Sequence, residues 1–206
     1  AASDVYKRQE EVLVEVRATA VNRADLLQRR GLYPGPEMEH EILGLEFSGT
    51  VSAIGERVVS RSVGDEVMGI VGGASYAEYL TVHERQTMAV PTSVKLADAA
   101  AIPEVWITAF DALVVQGRLT SGRTALVHAG ASGLGTAAIQ IAKALASQCL
   151  VTTSTMKVAA CEALGADLVI DYKTTDFVEA VLQFTEGFGA DVILDVVGAE
   201  YLAKNL

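Results

Sequence analysis

The sequence has little cysteine, and this limits the kinds of protein it can represent. Only Cys149 and Cys161 occur in 206 residues, and they form no C-x-x-C pair. A single pair of cysteines in a chain of this length is typical of reduced cytoplasmic thiols and not of a disulfide framework. We therefore expect two free thiols and a cytoplasmic location.

Long apolar runs and basic clusters are also missing. No apolar run approaches the ~20 residues that cross a bilayer, and no basic segment followed by an apolar one opens the chain. The 16 Lys and Arg residues are outnumbered by 26 Asp and Glu residues, which gives a net charge of −10. Because binding to nucleic acid requires clustered Lys and Arg, we exclude nucleic acid and membrane as partners and expect a soluble protein.

The first half of the chain has the pattern of short β-strands. Alternation in Val12–Ala18 places Val12, Val14 and Val16 on one face, which indicates a half-buried strand. Further strands are predicted at 47–54, 66–71 and 76–82, separated by glycines, and indicate a small barrel-like β domain over residues 10–95. Residues 1–9 have no apolar period, and we interpret them as a foreign or disordered segment.

From residue 96 onwards, compact apolar runs alternate with helical spacing. Strands are predicted at 124–129, 149–153, 168–170 and 192–197, and helices at 133–147, 156–164, 176–185 and from 199. This alternation predicts an α/β domain, a doubly wound parallel sheet over residues 96–206. A six-stranded sheet of this kind needs two more strand–helix units, so we expect the domain to be incomplete and this chain to be inactive or weakly active.

A glycine motif lies at the junction of a predicted strand and helix. Gly130 and Gly135 occupy the first and last positions of G-x-G-x-x-G, Ser132 replaces the middle glycine, and Gly133 follows it. Such a loop brings backbone N–H groups and a helix N-terminus to a dinucleotide pyrophosphate. The alternative is an ordinary glycine turn. The strand before it and the amphipathic helix after it favour the phosphate-binding interpretation, in which Leu134 also takes part.

The end of the second predicted strand of this domain bears on the choice of cofactor. An NAD site usually presents an acidic residue there, whereas residues 152–157 contain none. The hydroxyls of Ser154 and Thr155 and the charge of Lys157 suit the 2′-phosphate of NADPH. The alternative is that Thr155 caps the next helix and Lys157 is a solvated surface residue.

Several segments together resemble one enzyme family. The sequence is similar to the zeta-crystallin-like quinone oxidoreductases of the medium-chain dehydrogenase/reductase superfamily, most densely to the p53-inducible type. The resemblance covers residues 10–206 in the family's order. It is carried by the segments 22–29, 31–34, 42–49, 101–106, 108–110 and 128–138. It implies a GroES-like domain followed by a Rossmann domain, with the substrate between them, and a homodimer.

The resemblance also implies roles for individual residues. It places Asn22 and Tyr33 at the substrate pocket as catalytic hydrogen-bond donors, and Lys157 with Tyr172 on the 2′-phosphate. Thr108 and Gly198 would lie near the nicotinamide. For each the alternative is structural: Tyr33 anchors a loop, Tyr172 ends a strand, Thr108 bonds its own helix and Gly198 is a strand-end glycine.

No zinc site is expected from the sequence. Zinc-dependent relatives use a cysteine and a His-Glu pair where this chain has Asn22 and Leu45-Glu46, and neither Asn22 nor Leu45 suits a tetrahedral zinc site. The histidines His40, His83 and His128 are scattered, and we assign them no chemistry.

We therefore expect an NADPH-dependent, zinc-independent oxidoreductase that reduces a quinone. Two alternatives remain open. One is an enoyl or alkenal reductase on the same scaffold, and the other is an NADPH-binding protein without catalytic activity.

Overall fold

The computed structural model describes residues 9–33 and 42–206. Pro34, His40 and the expected foreign segment, apart from Gln9, lie outside these ranges. The chain divides into two compact units, one that extends to Glu104 and one formed by Val105–Leu206. In the described part of the chain, no helix has the length and apolar character needed to span a membrane.

The first unit is built on an antiparallel sheet of five strands. They are β1 (Glu11–Ala18), β2 (Glu46–Ile54), β3 (Glu66–Ile70), β4 (Tyr79–His83) and β5 (Thr87–Ala89), in the order β4-β1-β2-β3-β5. Two short helices accompany them, α1 (Arg23–Gln28) and α2 (Leu96–Ala99). Alternate residues of the strands form its core, which consists of Val12, Val14, Phe47, Val51, Val67, Leu80 and Val82.

The second unit is built on a parallel sheet. Its strands β6 (Thr124–Val127), β7 (Gln148–Thr153), β8 (Leu168–Asp171) and β9 (Val192–Leu194) lie in the order β8-β7-β6-β9. The helices are α3 (Pro103–Phe110), whose first two residues belong to the first unit and which continues as a π-helical turn (Asp111–Gln116), α4 (Gly133–Ala144), α5 (Val158–Ala163), α6 (Phe177–Phe184) and α7 (Ala199–Asn205).

Each face of the parallel sheet has its own apolar cluster. Val127 and Val151 pack with Ile139 of α4 on one face. Leu126 and Leu150 pack with Val181 of α6 on the other. This arrangement follows from the two-residue period of a strand, because neighbouring side chains point to opposite faces. The predicted fold class, a β-rich domain followed by a doubly wound α/β domain, is confirmed.

The largest differences between predicted and observed strands, three residues at one end, occur in two places. The strand predicted at 76–82 begins only at Tyr79, because the backbone N–H of Tyr76 donates to the carbonyl of Leu43 and not to β1. The strand predicted at 192–197 ends at Leu194. There the Asp195 carboxylate accepts hydrogen bonds from the backbone N–H groups of Val197 and Gly198, and the chain turns.

Candidate cofactor-binding and active site

The loop between β6 and α4 lies against the neighbouring strand so closely that it needs glycine. A Cβ on Gly130 would lie 2.6 Å from the Cβ of Val151, and one on Gly135 would lie 2.5 Å from the carbonyl oxygens of Ala129 and Gly130. Both distances are shorter than real contacts of this kind. The backbone N–H of Gly130 also donates to the carbonyl of Thr152 at 2.9 Å. The loop is therefore held flat against the end of the sheet.

The first turn of α4 presents backbone donors at this loop. Ser132 is the N-cap, and its hydroxyl oxygen accepts the N–H of Gly135 at 3.0 Å. The N–H groups of Gly133 and Leu134 belong to the first helical turn, where no intrahelical acceptor exists. A Cβ on Gly133 would meet only Val105, at 3.2 Å. These features fit a dinucleotide pyrophosphate, which needs N–H donors and a helix N-terminus without side chains in between.

His128, the residue before this loop, has a packing role. Its ring is 1% exposed and forms edge-to-face contacts with Phe177 and Tyr201. Nδ1 lies 3.0 Å from the hydroxyl of Thr152, and Nε2 lies 3.0 Å from Oδ1 of Asn205. Both ring nitrogens are therefore engaged within this unit.

The carboxyl end of β7 holds the residues predicted to select the cofactor. Ser154 follows the strand, and Thr155–Lys157 form a 3₁₀ turn. The hydroxyl of Thr155 does not cap α5; it donates to Oδ2 of Asp171 at 2.6 Å. Thr155 and Lys157 are exposed. No sequence pattern indicated a role for Asp171, which comes from the end of β8.

Tyr172 and Gly198 follow the ends of two further strands. The backbone N–H of Tyr172 donates to the carbonyl of Thr153, and the side chain is 47% exposed. Gly198 has φ +92°, a left-handed conformation that favours glycine, and it precedes α7.

The strand order brings most of the predicted cofactor residues to one edge of the sheet. The carboxyl ends of parallel strands share an edge, and the chain leaves β6 towards β7 and later returns beside β6 as β9. Ligands of open α/β sheets bind outside such an edge, at the point where the strand order reverses. Thr108 belongs to the same unit, on α3, and is exposed.

In the first unit, Asn22 lies among buried carboxylates. Its side-chain amide donates to Oε1 of Glu46 at 2.7 Å, and its backbone N–H donates to Oδ2 of Asp25 at 2.7 Å. The other oxygen of Glu46 accepts the backbone N–H of Glu104 at 2.9 Å. Asp25 is 2% exposed and Glu46 is 1% exposed. Glu46 thus fixes the orientation of the Asn22 amide.

Burial and neighbouring charges favour the protonated forms of Glu46, Glu104 and Tyr76. Burial raises the pKa of the Glu46 carboxyl, against the lowering effect of its hydrogen bonds with Glu104 and Asn22. Burial and then the charge of Glu46 raise the pKa of Glu104. Burial, followed by the charge of Asp25, raises the pKa of the neighbouring Tyr76 phenol to about 12.

Tyr33 lies beyond α1 in the same unit and is 42% exposed. It is the last residue of its segment that the structure describes. Its side chain is therefore partly exposed, as that of a substrate-binding donor must be.

The positions of the zinc ligands in related dehydrogenases are occupied by other residues in this chain. In residues 9–33 and 42–206, no group of three or more His, Cys, Asp or Glu side chains is placed to hold a metal ion. Asn22 and Leu45 stand at two of the matching positions, and Leu45 has no ligand atom. The described residues therefore do not fit a catalytic zinc.

Two protein families match consecutive parts of the chain. Residues 8–92 match the alcohol dehydrogenase GroES-like domain, and residues 133–206 match the zinc-binding dehydrogenase domain. The first range covers the antiparallel sheet and the second begins at the first residue of α4.

Individual proteins are similar over nearly the whole chain. A phenolphthiocerol synthesis polyketide synthase of Mycobacterium marinum is 37% identical over 199 residues, which is 95% of this chain and 9% of the synthase. The structure of the CurK enoyl reductase matches with a TM-score of 0.88 and 30% identity, covering 97% of this chain and 62% of that one. A quinone oxidoreductase of Pseudomonas syringae pathovar tomato matches with a TM-score of 0.87 and 33% identity over the same shares. The chain thus spans less than two thirds of the length of these relatives.

Proposed function

Because the chain belongs to the medium-chain dehydrogenase/reductase superfamily, we propose that it transfers reducing equivalents from NADPH to a quinone-type acceptor without zinc. The observation that carries this proposal is the glycine loop at the start of α4. Gly130 and Gly135 leave no room for a Cβ, and the first helical turn presents N–H donors beside them. This combination binds a pyrophosphate.

The preference for NADPH is supported by the residues after β7. Lys157 is exposed and carries a charge that suits a 2′-phosphate, with Tyr172 exposed after the neighbouring strand. A homodimer is a further part of the proposal and follows from the resemblance of the sequence to quinone oxidoreductases, whereas a cytoplasmic location follows from the two isolated cysteines.

Where the electron acceptor binds, hydrogen-bond donors are needed more than a metal ion. When bound, the dihydronicotinamide supplies hydride. A conjugated carbonyl that accepts hydride develops negative charge on its oxygen, and hydrogen-bond donors stabilise that charge. The Asn22 amide has two N–H bonds, of which one is directed at Glu46. We assign the other, together with the Tyr33 phenol, to the substrate oxygen.

A second candidate is an enoyl or alkenal reductase. It is favoured by the structural similarity to the CurK enoyl reductase and by the sequence similarity to a polyketide synthase. The two activities differ in the acceptor, which is a quinone in one case and an α,β-unsaturated carbonyl in the other. Steady-state rates with ortho-quinones and with 2-alkenals, measured on the same preparation, separate them. Faster reduction of alkenals would replace the quinone assignment.

A matched pair of substitutions tests the cofactor site. Gly133→Asp places a carboxylate in the first turn of α4, where it suits the helix dipole but repels a pyrophosphate. Gly133→Asn has nearly the same shape without the charge. We expect both variants to fold, and the Asp variant to bind NADPH at least roughly tenfold more weakly than the Asn variant, by fluorescence titration. Equal affinities would contradict the phosphate-binding role of this loop.

Tyr33→Phe tests whether the protein is a catalyst or a binding protein. The phenylalanine keeps the ring and removes the donor. We expect an unchanged dissociation constant for NADPH and a lower rate of acceptor reduction. An unchanged rate would remove Tyr33 from the catalytic assignment. Absence of turnover in a chain of the relatives' full length, with NADPH bound, would favour the non-catalytic alternative.

A further inference from the structure

The neighbouring strand supplies an acidic residue to the edge of the proposed cofactor site. Thr153, the last residue of β7, is paired with Asp171, the last residue of β8. Oδ2 of Asp171 accepts the hydroxyl of Thr155 at 2.6 Å, and Oδ1 accepts the backbone N–H of Lys173 at 3.0 Å. The carboxylate is therefore fixed between the two segments that follow these strands.

Asp171 carries its negative charge at neutral pH. The hydrogen bond from Thr155, and then that from the Lys173 backbone, lower the pKa of this carboxyl below its ordinary value. The charge lies beside the turn Thr155–Lys157, to which it is hydrogen-bonded through Thr155, and this turn contains Lys157, the residue proposed to bind a 2′-phosphate.

The hydrogen bond also determines what Thr155 can offer a ligand. A hydroxyl has one proton and two lone pairs. Since the proton is directed at Asp171, only lone pairs remain for a nucleotide. The 2′-hydroxyl of an NADH ribose can donate to them, whereas a phosphate oxygen is an acceptor and cannot.

We propose that Asp171 is a specificity-determining residue that weakens binding of the 2′-phosphate and lets the site accept NADH as well as NADPH. This inference rests on the proposed function. Lys157 and Lys173 favour the phosphate, and Asp171 opposes it through its own charge and through Thr155. The acidic residue that NAD sites usually carry at the end of the second strand is here supplied from the third.

The substitution Asp171→Asn tests this directly. An asparagine amide donates to the oxygen of Thr155, so the hydroxyl proton becomes available to a ligand while the carbonyl still accepts from Lys173. The probes are 2′,5′-ADP and ADP, titrated calorimetrically, which report the 2′ end alone. We expect the affinity for 2′,5′-ADP relative to ADP to rise roughly five- to tenfold. The NADPH to NADH affinity ratio should rise in parallel.

Two further variants show whether the Thr155 hydroxyl and the position of the negative charge determine the affinity ratio. Thr155→Val removes the hydroxyl and keeps the shape, and it should weaken binding of ADP by a few fold while binding of 2′,5′-ADP changes less. Asp167→Asn changes the net charge equally at the opposite end of β8, where Asp167 pairs with Lys143. This control should leave the affinity ratio unchanged. Melting temperatures confirm that each variant is folded.

Different outcomes test the role of Asp171 and the proposed function separately. If the unaltered protein binds both nucleotides and Asp171→Asn leaves their affinity ratio unchanged, the role of Asp171 is wrong while the cofactor site stands. An equal shift in the Asp167→Asn control would also overturn it, because net charge would then be the cause. If the unaltered protein binds neither NADPH nor NADH, the proposed function fails and this inference fails with it.

Discussion

Nε2 of His128 lies 3.0 Å from Oδ1 of Asn205, so the residue that follows β6 is hydrogen-bonded to the last turn of α7. The other ring nitrogen contacts Thr152 at the end of β7. One buried side chain thus connects two strands and a helix.

Replacing His128 by alanine should therefore destabilise the protein. The change leaves a cavity between Phe177 and Tyr201 and removes the ring that bonds Thr152. We expect the free energy of unfolding to fall by about 2–4 kcal/mol, measured by urea denaturation. His83→Ala is the control: its ring is partly exposed, lies 3.4 Å from Glu10 and caps a short turn by accepting the N–H of Arg85, and the expected loss is about 1 kcal/mol or less. Equal effects of the two substitutions would contradict the packing role of His128.

Ala129→Gly should stabilise the loop. Ala129 has φ +56°, a left-handed conformation in which a Cβ is unfavourable and glycine is not. We expect a gain of up to about 1 kcal/mol, seen as a higher melting temperature. The neighbouring Ala131 has no such conformation, and Ala131→Gly should lower the melting temperature. A loss of stability in both variants would indicate that the Ala129 methyl group contributes more by packing than its conformation costs.

The two thiols should be unreactive in the folded protein. Burial, the largest cause, raises the pKa of Cys149 to about 12 and also raises the pKa of Cys161. Because the thiolate is the reactive form, a disulfide reagent at pH 8 should modify neither residue until urea is added. Rapid labelling of either cysteine without denaturant would refute this. The raised pKa also means that ionisation favours the unfolded chain, so the thiols reduce stability as pH rises above about 9.

Glu84 should stabilise the first unit in a pH-dependent way. Its Oε2 accepts the hydroxyl and N–H of Ser60 at 2.6 Å each and the N–H of Val59 at 3.0 Å. These bonds, the Ser60 hydroxyl first, lower the pKa of Glu84. A lowered pKa contributes stability above the ordinary value, and this contribution is lost as pH falls through the folded-state pKa.

Glu84→Gln should therefore lower the melting temperature at pH 7, and the difference from the unaltered protein should shrink as the pH is lowered below about 4.5. Glu66→Gln, on an exposed residue of β3, serves as the control and should differ little from the unaltered protein at either pH. A difference that stays constant with pH would show that the shape of the side chain matters and its charge does not.

Most strands can be predicted from the local sequence, because burial of one face of a strand places apolar residues at every second position. The alternation of Val12, Val14 and Val16 corresponds to β1, which begins one residue earlier than predicted. The three-residue strand Thr87–Ala89 was not predicted, since so short a segment shows no period. Its pairing with Val67–Gly69 of β3 is a tertiary contact.

The same limit applies to the candidate site. The loop from Gly130 to Gly135 is contiguous, so its glycines, the strand before it and the helix after it can all be read from one stretch of sequence and together favour a phosphate-binding role. Thr155 and Asp171 are 16 residues apart and meet only because β7 and β8 are adjacent in a particular register. Likewise Asn22 and Glu46 are 24 residues apart. A short sequence motif cannot reveal a hydrogen-bond partner that lies on a distant segment, because the order of the strands determines which segments meet.

The position of β6 in the sheet has a consequence for synthesis on the ribosome. One edge of β6 pairs with β7 soon after it in the chain, but the other pairs with β9, and Thr124 bonds Asp191 across a separation of 67 residues. At a translation rate of roughly 5–20 residues per second, the second edge of β6 remains unpaired for about 3–13 seconds until β9 is synthesised. During that interval the nascent sheet exposes an unpaired strand of high β-propensity, which is the kind of surface that chaperones protect.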